Sequence, residues 1–182
     1  MKFGYIKTAL CSPKIKVADV EFNTSAIIDS IERAEKQGAE LIVFPQLSLT
    51  ASTCFNLFNS GVLLDGALKG LEQICKKSEN VNALIFVGAP IKHNNKVYNT
   101  AVGICGGKIL GVVPQTYSFE GFEFAKCPSE NVEISILGYS VPFGNKIIFK
   151  KIKNWKCFFF RKAFYIMFRR SFFNMFCKLI SI

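Results

Sequence analysis

The sequence has few of the residues that metal sites and disulfide frameworks require. It contains one histidine, and none of its seven cysteines belongs to a C-x-x-C pair, so it carries no common zinc-binding pattern. An odd number of scattered cysteines is typical of a reducing compartment, and we therefore expect a cytoplasmic protein. The N-terminal segment lacks the apolar core of a signal peptide, and no run of about 18 charge-free apolar residues predicts a membrane-spanning helix.

Acidic residues are absent from the C-terminal part of the chain. Residues 145–182 hold ten of the 23 lysines and arginines and nine of the nineteen phenylalanines, but no Asp or Glu. Residues 1–144 hold the other thirteen basic residues and all thirteen acidic ones, so their formal net charge is zero. This break predicts a neutral globular body, residues 1–150, followed by a basic, Phe-rich tail, residues 151–182.

Three apolar runs predict strands of the kind that is buried in α/β sheets. They are residues 2–10, ELIVFP at 40–45 and ALIFVGAP at 83–90. Two further apolar segments, KVYNTAVGIC and KILGVV, flank the pair Gly106-Gly107. That arrangement predicts a β-hairpin, and the glycine pair is not a phosphate-binding loop because no G-x-G-x-x-G opens a helix there.

Two amphipathic segments between the strands predict helices, at 22–38 and 64–77. Asn23 or Thr24 is expected to cap the first helix, and Gly38 is expected to end it. The alternation of strands and helices predicts an α/β fold in which helices pack on a sheet.

Three stretches of the body carry a resemblance: AELIVFPQLSLTASTCFNLF, ALIFVGAPIKHNNKVYNTAVGICGGKILGVVPQTY and GFEF. They are similar to the nitrilase superfamily of carbon–nitrogen hydrolases, and more narrowly to the N-terminal glutamine-hydrolysing domain of glutamine-dependent NAD synthetases. The resemblance covers roughly residues 2–150. It implies a nitrilase-type α-β-β-α sandwich, which we expect to be incomplete at its C-terminus in this chain.

The resemblance also implies a set of catalytic positions. The family hydrolyses an amide with a Cys nucleophile, a Glu general base and a Lys facing the oxyanion, because a thiol must lose its proton and the tetrahedral intermediate is anionic. Here the base position is Gln46, the lysine position is Gln115, and a second glutamate of the family maps to Glu123. No C-E-D-L-like stretch supplies the nucleophilic cysteine. Three more positions depart from the family's Gly, Tyr and Asp: Ala51, Ser52 and Asn56.

These substitutions predict that the chain is a catalytically inactive fragment of a domain that hydrolyses glutamine and supplies ammonia for NAD biosynthesis. An amide cannot accept a thiol proton, and the loss of one oxyanion donor typically costs about 10²–10³ in rate. ATP and deamido-NAD act at a second, synthetase domain in the family, so we expect no cofactor in this fragment. The alternatives are a weakly active amidase and a pseudoenzyme that binds a partner, either a second copy of the chain or an intact family subunit.

The tail resembles nothing in the family and has two interpretations. AFYIMFRRSF, residues 163–172, can be encoded by codons that read HFTLCSEDLF when they are shifted by one base, so a frameshift near residues 150–160 is one hypothesis. Binding of the basic, aromatic tail to a membrane or to RNA is the other. It is disfavoured because the basic residues do not share one helical face.

Three other residues have competing structural and functional interpretations. Cys54 could act as a replacement nucleophile, but a free cysteine is more often a small buried hydrophobe. His93, next to two asparagines, is expected in a surface turn, since one histidine cannot form a metal site. Glu123 could support a substrate pocket or could simply be solvated.

Overall fold

The computed structural model describes residues 6–116 and 124–149. Their elements are, in order, β1 Thr8–Leu10, α1 Val20–Lys36, β2 Leu41–Val43, a 3-10 segment Ser52–Asn59, α2 Gly61–Ser78, β3 Leu84–His93, β4 Lys96–Cys105, β5 Lys108–Pro114, β6 Val132–Ile136 and β7 Tyr139–Phe143. Within these residues, no helix combines the length and the apolar character that crossing a bilayer requires.

All seven described strands form one mixed sheet, in the order β1-β2-β3-β4-β5-β7-β6. β1, β2 and β3 are parallel, and the helices α1 and α2 connect them. β3, β4 and β5 are antiparallel neighbours, and β7 adds to β5 in parallel. The alternation of strand and helix patterns therefore predicted the parallel part correctly, and the described residues supply one sheet and one helical layer of the predicted sandwich.

One face of the sheet packs against both helices. Alternate residues of the strands point to this face, and together with one stripe of each helix they form the main core. Fully burying an isoleucine or leucine there contributes about 1.5–3 kcal/mol. The fully buried members of this core include Ile27, Ile31, Ile42, Leu71, Ile74, Ile85, Val87 and Val102.

The opposite face carries a smaller apolar cluster: Leu41, Val43, Leu84 and Phe86. Phe149 lies on this face. Its ring packs edge-on against that of Phe86, with 5.1 Å between the ring centroids. It fits there because Gly103 of β4 and Gly111 of β5 are paired, and a Cβ on Gly103 would lie 2.6 Å from the Phe149 ring. The two glycines therefore form a shallow groove for the aromatic ring.

The first helix confirms the predicted apolar face and corrects the predicted cap. Ile27 and Ile31 are buried, and Gly38, with φ +75°, follows the end of the helix. The N-cap is Asp19, whose side chain accepts a hydrogen bond from the backbone of Phe22 at 3.0 Å. Asn23 and Thr24, the two predicted caps, both lie inside the helix, and the Asn23 amide contacts Lys16 in the segment before the helix and Leu49 in the loop after β2.

The predicted hairpin at Gly106-Gly107 is present. β4 and β5 pair across it. Both glycines have positive φ, +56° and +78°, as the two central residues of a type I′ hairpin turn require. The hairpin of β6 and β7 and the 3-10 segment Ser52–Asn59 were not predicted from the sequence. The predicted tail, residues 151–182, lies outside the described residues, so its boundary with the body remains a prediction.

Candidate active site

Gln46 and Gln115 both contact Asn99 at the end of the sheet where β2 and β5 finish, although 69 positions separate them in the sequence. Gln46 follows β2, and Gln115 follows β5 directly. Asn99 of β4 lies between them: its Nδ2 donates to Gln115 Oε1 at 2.8 Å and to Gln46 Oε1 at 3.4 Å. The backbone N–H of Gln115 also donates to the Asn99 carbonyl, at 2.8 Å, which fixes the side chains' relative positions.

We refer to Gln46, Asn99 and Gln115 as the amide cluster. Asn99 is almost fully buried, Gln115 is half-buried and Gln46 is exposed, so the cluster is anchored at its centre and open to solvent at one end. All three side chains are neutral at any ordinary pH. The cluster can orient a polar group by hydrogen bonding, but none of its members can take up a proton or provide a positive charge.

Asn99 was not among the site residues predicted from the sequence. The signal is present, because Asn99 and Thr100 are polar residues within a strand whose other central positions are apolar and buried. A buried amide in such a strand requires hydrogen-bond partners. Only the sheet topology shows that those partners are the two glutamines.

The loop that carries Gln46 lies directly on the backbone of β3. The N–H of Leu49 and the hydroxyl of Ser48 both donate to the Gly88 carbonyl, at 3.2 and 3.3 Å. The N–H of Phe44 donates to the Phe86 carbonyl at 2.9 Å. A Cβ at Gly88 would overlap the loop, so this glycine permits the contact that places Gln46.

Ala51 ends this loop in a backbone conformation that favours glycine. Its φ and ψ are +69° and 158°, a region that residues with a Cβ rarely occupy and that stores about 1–3 kcal/mol of strain. The resemblance implied a glycine at this position. The chain therefore carries an alanine where its own backbone conformation favours the glycine that the resemblance implied.

We expect Ala51→Gly to raise the free energy of unfolding by about 1 kcal/mol, because the relief of strain exceeds the entropy that an added glycine costs. The same substitution in the middle of α1, Ala26→Gly, should lower it by about 1 kcal/mol. Urea denaturation of both variants measures these changes. A loss of stability in both would show that Ala51 is not strained.

Cys54 does not have the properties of a replacement nucleophile. It is 3% exposed, and its Sγ donates to the Thr50 carbonyl at 2.9 Å. Burial raises the pKa of its thiol, which lowers the thiolate fraction. Its neighbours are apolar side chains, among them Leu47, Phe58 and Leu63, so the structural interpretation of this residue is supported.

All five cysteines in the described part of the chain are free, and burial raises the pKa of each thiol. For Cys75, burial and the nearby Glu72 carboxylate raise the pKa to about 11. At pH 8 its thiolate fraction should therefore be about 100-fold below that of a thiol with an ordinary pKa near 9.

We expect iodoacetamide to label Cys54 and Cys75 slowly at pH 8 and faster as the pH rises towards 11. Mass spectrometry of tryptic peptides measures each rate, with Cys75 labelled after unfolding in urea as the reference. Rapid labelling of Cys54 in the folded chain would contradict its structural assignment.

Two other residues that the sequence singled out are Glu123 and His93. Glu123 lies outside the described residues, and its role remains a prediction. His93 was expected in a surface turn, but it is the last residue of β3, beside the turn formed by Asn94 and Asn95, and it is partly buried with its ring centroid 5.8 Å from that of Phe143. Within the residues that the structure describes, no group of three or more His, Cys, Asp or Glu side chains could hold a metal ion.

Comparison with known proteins identifies the family of this chain. The sequence model of the carbon–nitrogen hydrolase family matches residues 7–138. The glutamine-dependent NAD(+) synthetase of Mycobacterium tuberculosis is 31% identical over 152 residues, which cover 80% of this chain and 22% of the relative. That of Saccharomyces cerevisiae is 30% identical over 112 residues, 62% of this chain and 16% of the relative. The chain thus spans about a fifth of the length of these curated relatives.

Solved structures show the same fold. The glutamine-dependent NAD(+) synthetase from Cytophaga hutchinsonii superposes with a TM-score of 0.74 at 20% identity, over 80% of this chain and 26% of that one. An amidase from Nesterenkonia sp. superposes with a TM-score of 0.61 at 18% identity, over 78% of this chain and 56% of that one. The predicted nitrilase-type fold class is therefore confirmed.

Proposed function

Because the chain belongs to the carbon–nitrogen hydrolase family, we propose that it derives from the glutamine-hydrolysing domain of an NAD synthetase and no longer hydrolyses glutamine. The amide cluster is the observation that carries this proposal. At the position of the family's general base stands Gln46, and at the position of its lysine stands Gln115, joined through Asn99. Glutamine is then the ancestral substrate of the site.

The chemistry of amides gives the physical reason. An amide oxygen is too weakly basic to remove a thiol proton, and an amide NH₂ lacks the full charge that a lysine brings to an oxyanion. The one thiol in the neighbouring loop, Cys54, is buried and has a raised pKa. Losses within one coupled catalytic group are not additive, so restoring a single member should recover no turnover.

Restoring both family residues tests this argument. We expect the double variant Gln46→Glu/Gln115→Lys to release glutamate from glutamine no faster than buffer, because a base and a cation achieve nothing without a thiolate nucleophile. Gln37→Glu/Gln73→Lys, which introduces the same two opposite charges at exposed positions outside the amide cluster, is the matched control. Glutamate release by the double variant alone would show that a cysteine of this chain serves as the nucleophile.

A second candidate function is binding to a partner, either another copy of this chain or an intact family subunit. It is favoured by the exposed apolar side chains of Phe55, Leu57 and Val62, which are 65%, 48% and 84% exposed. Light scattering after size-exclusion chromatography distinguishes a monomer from an oligomer.

The proposed function assigns no role to ATP or deamido-NAD in this chain. It places the chain in the cytoplasm, with a tail that binds neither nucleic acid nor membrane.

A further inference from the structure

A cavity of about 340 Å³ lies between the carboxyl end of β1 and the C-terminal half of α1. Its walls are formed by Ala9, Leu10, Cys11, Ser12, Pro13, Ser30, Arg33, Ala34 and Gln37. No member of the amide cluster lines it, so the cavity is a separate feature of the molecule. Its volume is at the lower end of the range of small-molecule sites, which suits a small metabolite.

Arg33 provides the charge of this cavity. Its Nη2 donates to Ser30 Oγ at 3.2 Å, which holds the guanidinium against the cavity wall. The walls include no Asp or Glu, and the ion pairs found among the described residues all involve lysines. A guanidinium without a carboxylate partner retains several N–H donors in the fork geometry that matches an oxyanion.

Other polar groups of the same walls can support an anion. Ser12 brings a hydroxyl and Cys11 a half-buried thiol, whereas the Ser30 hydroxyl donates to the Ala26 carbonyl at 2.8 Å and serves to position Arg33. Lys7, which donates to the Gln37 carbonyl at the rim, adds a second positive charge. Cys11 and Arg33 line the same cavity, and burial raises the pKa of the Cys11 thiol while the positive charge of Arg33 lowers it in part.

We propose that this cavity binds a small molecule through an oxyanion, either a carboxylate or a phosphate, with Arg33 as the anchor and the hydroxyl of Ser12 as a further donor. The proposal concerns a site distinct from the amide cluster. It does not depend on whether the chain hydrolyses glutamine.

Thermal unfolding of the full chain in the presence of succinate or inorganic phosphate tests the proposal, with sodium chloride at matched ionic strength as the reference. We expect at least one of the two anions to raise the Tm in a saturable manner beyond the effect of chloride. A rise in Tm with succinate would identify the ligand's anionic group as a carboxylate, and a rise with phosphate would identify it as a phosphate. No response to either anion overturns the proposal.

Two variants locate the effect. Arg33→Gln should weaken the apparent affinity for the responding anion at least tenfold, whereas Lys36→Gln should leave it within twofold. Lys36 is the matched control because it is an exposed cation of the same helix that does not line the cavity. Equal losses in the two variants would mean that the anion responds to surface charge alone, which overturns the proposal.

Alkylation of Cys11 provides an independent measurement. Because its thiol lines the cavity, we expect a saturating concentration of the responding anion to slow the labelling of Cys11 by iodoacetamide at least threefold, with no change at Cys75. An unchanged rate at Cys11 would place the anion outside the cavity and overturn the assignment.

Discussion

Replacing Gly88 by alanine should lower the free energy of unfolding by about 3 kcal/mol and displace the loop that carries Gln46. A Cβ on Gly88 would lie 2.2 Å from the Pro45 carbonyl oxygen, 2.4 Å from the Leu47 nitrogen and 2.7 Å from the Gln46 carbonyl carbon. These are backbone atoms, which cannot move aside by changing a rotamer. Either β3 or the loop must shift, and the hydrogen bonds of Ser48 and Leu49 to Gly88 would then be lost.

The control for this prediction is Gly66→Ala on α2. A Cβ there would meet Val20 at 3.6 Å, an ordinary van der Waals contact, and alanine is the better helix former by about 1 kcal/mol. We therefore expect Gly66→Ala to stabilise the protein and Gly88→Ala to destabilise it, as measured by urea denaturation. A Gly88→Ala variant as stable as the parent chain would refute the close approach of the loop to β3.

Removing the side chain of Asn23 should lower the free energy of unfolding by a comparable amount, about 3 kcal/mol, because it leaves buried backbone groups unpaired. Asn23 is fully buried, and its Oδ1 accepts from the Lys16 N–H at 2.7 Å. Its Nδ2 donates to the carbonyls of Lys16 and Leu49, at 2.7 and 3.0 Å. One side chain on α1 thus holds the segment before the helix and the loop that carries Gln46.

Two further variants separate this role from general effects of substitution. Asn23→Asp retains an acceptor for the Lys16 N–H but removes both donors, so it should destabilise the chain as strongly as Asn23→Ala. Ser25→Ala, at an exposed position two residues along, should change the stability by less than about 0.5 kcal/mol. Similar small effects at positions 23 and 25 in thermal melts would contradict the proposed contacts.

The apolar pattern of the sequence was sufficient to predict the helices and most of the strands. The repeat of Ile27 and Ile31 placed the buried face of α1, and the glycine pair at 106–107 placed the hairpin, because these signals are local. Asn23 was predicted to be a helix cap for the same reason, since an asparagine before an apolar repeat usually has that role. Its actual partners, Lys16 and Leu49, could be identified only once the loops were in place.

The candidate site was predicted only in part. Gln46 and Gln115 were identified by their resemblance to family positions, and nothing in their local sequence indicates that both contact Asn99. Asn99 completes the cluster through the pairing of β4 with β3 and β5, a long-range property of the sheet. Glu123 lies outside the described residues, so the resemblance alone carries its assignment.

The most direct test of the proposed loss of activity is the rate at which the purified chain forms glutamate from excess glutamine, measured with a coupled dehydrogenase assay. If the amide cluster has replaced the catalytic residues, the rate should equal that of the buffer at every concentration of the chain. Glutamate formation that rises in proportion to the chain and disappears in Gln46→Ala would contradict the account, because the amide cluster would then be part of a working hydrolase.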